Sequence, residues 1–157
     1  MLYCPNYNCQ AANAETHRFC QKCRTPLPKH YLWAMGEVAL TYQPGDLIDD
    51  RFLCKRPQIF LNTKPGLVPV QAMPVPDVGV PYLHLSPYQL HVPQIYEVLS
   101  GTSGASLLLL DQAAIQVAAW VDGGEVTVEP LPTLEEEWQQ ASALRQLNWL
   151  WQLAQLW

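Results

Sequence analysis

Cys4-Pro5-Asn6-Tyr7-Asn8-Cys9 and, further on, Phe19-Cys20-Gln21-Lys22-Cys23 set out the pattern C-x4-C-x10-C-x2-C at the head of the chain. Four of the five cysteines of the protein stand in it. Two cysteine pairs, each closing a tight turn and separated by a short polar loop, supply four thiolates, the number that completes a tetrahedron around Zn²⁺. Pro5, Asn6 and Asn8 suit the first turn, and Phe19 stands where a small finger keeps its one core aromatic. The spacing therefore predicts a structural zinc ribbon over residues 1–30, held by Cys4, Cys9, Cys20 and Cys23. Two other readings exist, a pair of disulfides and a redox C-x-x-C at Cys20 and Cys23. Disulfides need an oxidising compartment, and the first residues do not read as a signal peptide. A redox C-x-x-C belongs after a strand in a βαβ unit, and none is readable here.

Counted from Cys9, the pattern is C-x3-N-x6-C-x2-C with the asparagine at Asn13, which resembles the Ran-binding-protein type of zinc ribbon. That resemblance implies binding of ubiquitin or of single-stranded RNA. The family places Trp two residues before its first cysteine, and this chain departs from that, with Leu2 near the first pair. A metal motif fixes a site and not a function, so a protein-contact or purely structural ribbon stands beside the RNA reading.

The chain has 157 residues, enough for a ribbon plus one domain with its own core. Charged residues make up only 15% and apolar residues 49%, a composition that expects some apolar surface to be covered by something else. Residues 1–30 carry a net charge of +3 and the remainder −8, so nucleic acid is compatible with the ribbon and not with the body. No apolar run reaches the ~18 residues of a membrane span. Thiol ligands without a leader make the cytoplasm the expected compartment. Cys54 lies in a strand-like run and reads as a buried thiol outside the metal site.

A proline-stiffened exit, Thr25-Pro26-Leu27-Pro28-Lys29, leads to the body. Alternation of Val38, Leu40 and Tyr42 predicts a strand over 37–42, and residues 47–61 predict two short strands broken at Pro57. Seven prolines between residues 64 and 93 argue against a central strand or a helix and predict an extended loop over 64–82. Strands are expected over 92–99, 106–110, 115–121 and 125–128, with Ser100-Gly101-Thr102-Ser103-Gly104 a loop and Asp122-Gly123-Gly124 a hairpin, together a small antiparallel meander. Thr133 followed by Glu136 is a capping box for a C-terminal helix. Across residues 144–157 only Arg145 is charged, and Leu147, Leu150, Trp151, Ala154 and Trp157 share one stripe, with Trp149, Leu153 and Leu156 on its flank. One stripe is expected to pack on the strands at 106–128. The helix is expected to be an interface, through Trp149, Leu153, Leu156 and Trp157, covered by another protein, a second copy or a following domain.

Taken together, Phe19-Cys20-Gln21-Lys22-Cys23, Thr25-Pro26-Leu27-Pro28-Lys29, His91-Val92-Pro93-Gln94-Ile95-Tyr96 and Leu144-Arg145-Gln146-Leu147-Asn148-Trp149-Leu150-Trp151-Gln152-Leu153 resemble the N-terminal region of a cyanobacterial group of type 2C protein phosphatases. In that group a zinc ribbon and a degenerate kinase-like segment precede the phosphatase domain. The resemblance implies that residues 49–61 correspond to the first strands of a kinase small lobe, residues 91–99 and 107–110 to later strands, and residues 121–125 to the hinge. No G-x-G-x-x-G, V-A-I-K lysine, H-R-D or D-F-G occurs in the sequence, and its aspartates do not form a phosphatase metal set. Phosphoryl transfer depends on those groups for positioning and charge, so no enzyme activity is expected. His84 and His91 have no accompanying nucleophile.

The expected fold is thus α+β, with a Cys4 ribbon over residues 1–30, an antiparallel β-rich lobe resembling a degenerate kinase small lobe over 31–129, its proline-rich loop at 64–93, and a helical segment over 130–157. The expected function is a non-catalytic, zinc-containing protein-interaction or regulatory module, with an RNA-binding or other nucleic-acid-binding ribbon as the alternative.

Overall fold

The structure is a computed structural model that describes residues 1–69, 73–88, 92–100, 105–121 and 125–155. It is a mixed α/β protein with an N-terminal cysteine cluster, a mostly antiparallel β-rich lobe and a C-terminal helix. In chain order the elements are β1 (Leu2–Tyr3), β2 (Ala12–Asn13), β3 (Tyr31–Met35), β4 (Leu47–Ile48), β5 (Phe52–Arg56), β6 (Ile59–Asn62), α1 (Val80–His84), β7 (Gln94–Ser100), β8 (Ser106–Asp111), β9 (Ile115–Val121), β10 (Glu125–Pro130), α2 (Leu134–Trp138) and α3 (Ala143–Gln155).

The lobe is one antiparallel sheet in the order β4-β5-β6-β3-β8-β7. Two of its inner strands show why. In β6 every residue is buried, and in β8 the run Leu107 to Leu110 is buried throughout, so both strands must be covered on two faces. Alternation sends Leu107 and Leu109 to one face, with Leu32, Phe52, Phe60 and Leu99, while Leu108 and Leu110 go to the other. That second face is covered in two places. Met73, Val75 and Tyr82 lie over the β7–β8 side, and Val126 and Val128 of β10 lie over Ile59, Tyr31 and Trp33.

Three sequence expectations change on this sheet. The strand expected over 37–42 is a 3-10 turn, Glu37–Leu40, and the strand lies earlier, at β3. Gly36 stops it: its φ of 119° turns the chain, and a Cβ there would fall 2.6 Å from the Ser106 carbonyl oxygen. The meander expected over 92–128 is two separate hairpins. β8 takes β3 as its second neighbour, through Trp33↔Leu110 and Met35↔Leu108, and the β9–β10 pair stacks across the face instead of extending the sheet. Residues 64–82 hold a 3-10 turn, Asp77–Gly79, and the start of α1, with Pro81 in the first turn of the helix, where its missing N–H costs nothing. The loop expected at 101–104, the hairpin residues 122–124, and His91 lie outside the described residues.

β5 and β7 are far apart in the strand order, yet their ends meet. Phe52 and Tyr96 stack edge to face at 6.4 Å, and Arg51, just before β5, reaches Glu97 of β7 at 3.0 Å. The sheet must curl to bring them together. Arg51 is almost wholly buried and its donors are taken up: Nε by Asn62 Oδ1 at 3.2 Å, Nη1 by Glu97, and Nη2 by the Leu67 carbonyl at 2.7 Å and the Tyr96 hydroxyl at 3.0 Å. Asn62 completes the cluster by donating to the same hydroxyl at 2.9 Å. No sequence motif announced this group.

The single C-terminal helix expected from the sequence is two. The capping box holds α2, with Glu136 N–H donating to Thr133 Oγ1 at 3.2 Å and Thr133 N–H to Glu136 Oε2 at 2.7 Å. After the break, Gln146 donates to the Trp138 carbonyl at 2.7 Å and Trp149 lies 6.1 Å from Trp138, so α3 folds back on α2. No residue of α3 is buried, so the stripe expected to pack on the strands does not do so. Among the described residues no helix is long and apolar enough to cross a membrane.

Candidate metal centre

Two turns build the site. In the first, Cys9 and Gln10 donate their N–H groups to the Asn6 carbonyl at 2.9 and 3.1 Å, and Asn6 Oδ1 accepts from Asn8 N–H. In the second, Cys20 N–H donates to the Thr25 carbonyl at 2.8 Å and Arg24 N–H to the Cys20 carbonyl at 2.9 Å. Each turn ends on a left-handed residue directly after its second cysteine, Gln10 at φ 47° and Arg24 at φ 62°. A non-glycine residue in this conformation costs roughly 1–3 kcal/mol. The ribbon's own core, Leu2 and Leu27 beside Cys4 and Cys20, is small.

Cys4, Cys9, Cys20 and Cys23 converge as the spacing predicts, with all four Sγ atoms within 4.8 Å of one another. The near pairs run across the two turns, Cys4 to Cys23 at 3.5 Å and Cys9 to Cys20 at 3.7 Å. Four thiolates at ~2.3 Å from a shared tetrahedral ion lie ~3.8 Å apart, whereas a disulfide needs ~2.0 Å. These residues therefore fit a metal ion, and none of the five cysteines is in a disulfide. Cys54 stays apart, buried in the lobe, its thiol donating to the Arg56 carbonyl at 3.2 Å and pushed up in pKa by burial.

The surroundings favour thiolate at some sulfurs and oppose it at others. Cys20 is drawn down to about 6 by the Cys23 N–H, against burial, with help from the Lys22 N–H and the Asn13 amide. The Thr25 hydroxyl and N–H lower Cys23. Burial pushes Cys4 up to about 12. A desolvated thiol such as Cys4 becomes a thiolate readily only beside positive charge, which a shared cation supplies.

Asn13, singled out by its place in the motif, is buried and does two jobs. Its Nδ2 lies 3.6 Å from Cys20 Sγ, and its Oδ1 accepts from Gln21 N–H at 2.9 Å. Such outer contacts orient metal ligands. Phe19, expected as the core aromatic, is 52% exposed. It bridges Pro26 in extended backbone, and with Cys20 turned inward the alternation puts Phe19 outside, while Leu2 fills the interior.

The ribbon is bonded to the lobe. Tyr3 N–H donates to the Thr63 carbonyl at 2.7 Å, and the buried Glu15 accepts from Tyr31 Oη at 2.7 Å and from the buried Lys55 at 3.0 Å. Neither residue pair was legible as a site from the sequence. No family model, no curated protein and no solved structure matches the chain.

Proposed function

We propose that the chain is a non-catalytic, zinc-containing module that recognises another protein, in the manner of the region that precedes a type 2C phosphatase domain. The observation that carries the proposal is the bare apolar face of α3. Leu147 and Trp151, one turn apart, are 63% and 60% exposed, and Leu144, Leu150 and Leu153 are exposed with them. Burying side chains of this kind is worth roughly 1.5–3 kcal/mol each, so a protein surface laid on them gains substantially. Of the residues expected at the interface, Leu153 is exposed and Trp149 is half-buried against Trp138; Leu156 and Trp157 lie outside the described residues. Zinc is the ion that best suits an all-thiol donor set in a small structural ribbon.

In a solution of the chain alone, a second copy is the available cover. Replacing Leu147 and Trp151 with Gln is expected to reduce association in a light-scattering concentration series while the melting temperature stays within a few degrees. A collapsed melting temperature with unchanged association would contradict the interface.

One observation favours a second reading. Arg18, Phe19, Lys22 and Arg24 are all exposed around the second cysteine turn, an aromatic face among cations. Bases stack on such faces while cations hold phosphates. If the ribbon binds single-stranded RNA, its affinity falls steeply with salt and Phe19→Ala lowers it; binding insensitive to both would rule this reading out.

A further inference from the structure

A pocket of about 330 Å³ opens where the ribbon meets the lobe, lined by Tyr3, Pro5, Tyr7 and Gln10 on one side and by Lys64 and Leu67 on the other. Its walls are pinned. The Tyr3 N–H is bonded to Thr63, the Lys64–Leu67 turn is closed by Leu67 N–H on the Lys64 carbonyl at 3.0 Å, and Arg51 Nη2 holds the Leu67 carbonyl at 2.7 Å. Gly66 presses directly on Pro5: a Cβ there would fall 2.7 Å from the Pro5 carbonyl oxygen, so the turn comes this close only because residue 66 has none. The cleft is pre-formed and at the small end of the range for ligand sites.

The lining selects a chemistry. The rings of Tyr3, Tyr7 and Pro5 and the side chain of Leu67 offer flat apolar surface. The phenol hydroxyls, the Gln10 amide and the Lys64 ammonium offer donors. Lys64 pairs with the exposed Asp50 carboxylate and lies 5.7 Å from the Tyr3 ring centroid, so its ammonium stands beside the aromatic wall as a donor. What fits is a neutral, acceptor-rich ligand with apolar rings. A polyproline II segment is such a ligand, because its carbonyls make no internal hydrogen bonds and its rings dock on aromatic-lined grooves.

We propose that this pocket binds a proline-rich segment of a partner protein in the polyproline II conformation, gripped by Tyr3 and Tyr7. The proposal rests on the reading of the chain as a protein-recognition module and gives the chemistry of one partner. The test is fluorescence anisotropy of a labelled oligoproline peptide titrated with the full chain, with a Gly-Ser peptide of equal length as control. The expected result is saturable binding of oligoproline alone. It should weaken about tenfold in Tyr7→Ala, a typical loss for an aromatic anchor. Tyr7 is 85% exposed, so its replacement leaves the melting temperature unchanged. Gly66→Ala, which forces the turn away from Pro5, should also weaken binding. Absence of saturable binding, equal binding of the Gly-Ser peptide, or a Tyr7→Ala variant that binds as tightly as the parent would overturn the proposal. Light scattering on the same samples separates the two readings: a chain that associates through Leu147 and Trp151 of α3 but ignores oligoproline sinks the pocket and leaves the recognition module standing.

Discussion

Cys20→Ser is expected to empty the metal centre and unfold residues 1–30 while the lobe stays folded. Cys20 is wholly buried at the middle of the cluster, with the Cys9 and Asn13 contacts converging on its sulfur. A hydroxyl in its place is a poor zinc ligand, and three thiolates do not close the tetrahedron. Structural zinc contributes ~10–16 kcal/mol in ribbon-sized units at neutral pH, far more than the burial of Leu2 and Leu27 can replace. The lobe keeps its own core but loses Glu15 as the partner of Tyr31 and Lys55, so its melting temperature falls. Amide hydrogen exchange resolves the two parts: protection should vanish over residues 1–30 and persist in β6 and β8. Cys54→Ser is the control and should leave zinc content unchanged, because Cys54 lies outside the cluster.

Arg51→Met is expected to destabilise the lobe by about 3–5 kcal/mol, the range for removing one partner of a buried ion pair. The variant strips the guanidinium from the buried Glu97 and Asn62, the half-buried Tyr96 hydroxyl and the Leu67 carbonyl together. Adding Glu97→Leu should restore part of the loss, since the second change removes the carboxylate that the first leaves behind. Denaturant unfolding of the single and double variants measures both. A single variant within about 1 kcal/mol of the parent would show that the network does not hold the sheet ends together. The pocket wall at Leu67 hangs on the same guanidinium, so Arg51→Met should also loosen the turn at residues 64–67.

What could be read from the sequence was local. Four cysteines at ribbon spacing, the Leu107 to Leu110 run, the alternation over 125–128 and the Thr133–Glu136 box each fix structure within a few residues, and each is found where its pattern lies. The 37–42 segment failed because the alternation of Val38, Leu40 and Tyr42 says nothing of the positive φ at Gly36 that ends the strand before it. Strand order failed for a different reason. Placing β3 between β6 and β8 joins residues about 75 positions apart, through burial on both faces that no single segment displays. The Arg51 cluster draws on residues 51, 62, 67, 96 and 97, and the ribbon–lobe pocket on two short turns, so neither has a contiguous signature. The exposed face of α3 was half legible. Its apolar stripes were plain in the sequence, but the turn back onto Trp138, which left them uncovered by the strands, was not.

The central claim is that four cysteines hold one structural zinc ion. Elemental analysis of the full chain, purified without chelator, tests it most directly. One zinc per chain, retained in Cys54→Ser and lost in Cys20→Ser, is the expected result. Zinc near zero in the parent chain, or zinc that survives in Cys20→Ser, would contradict it.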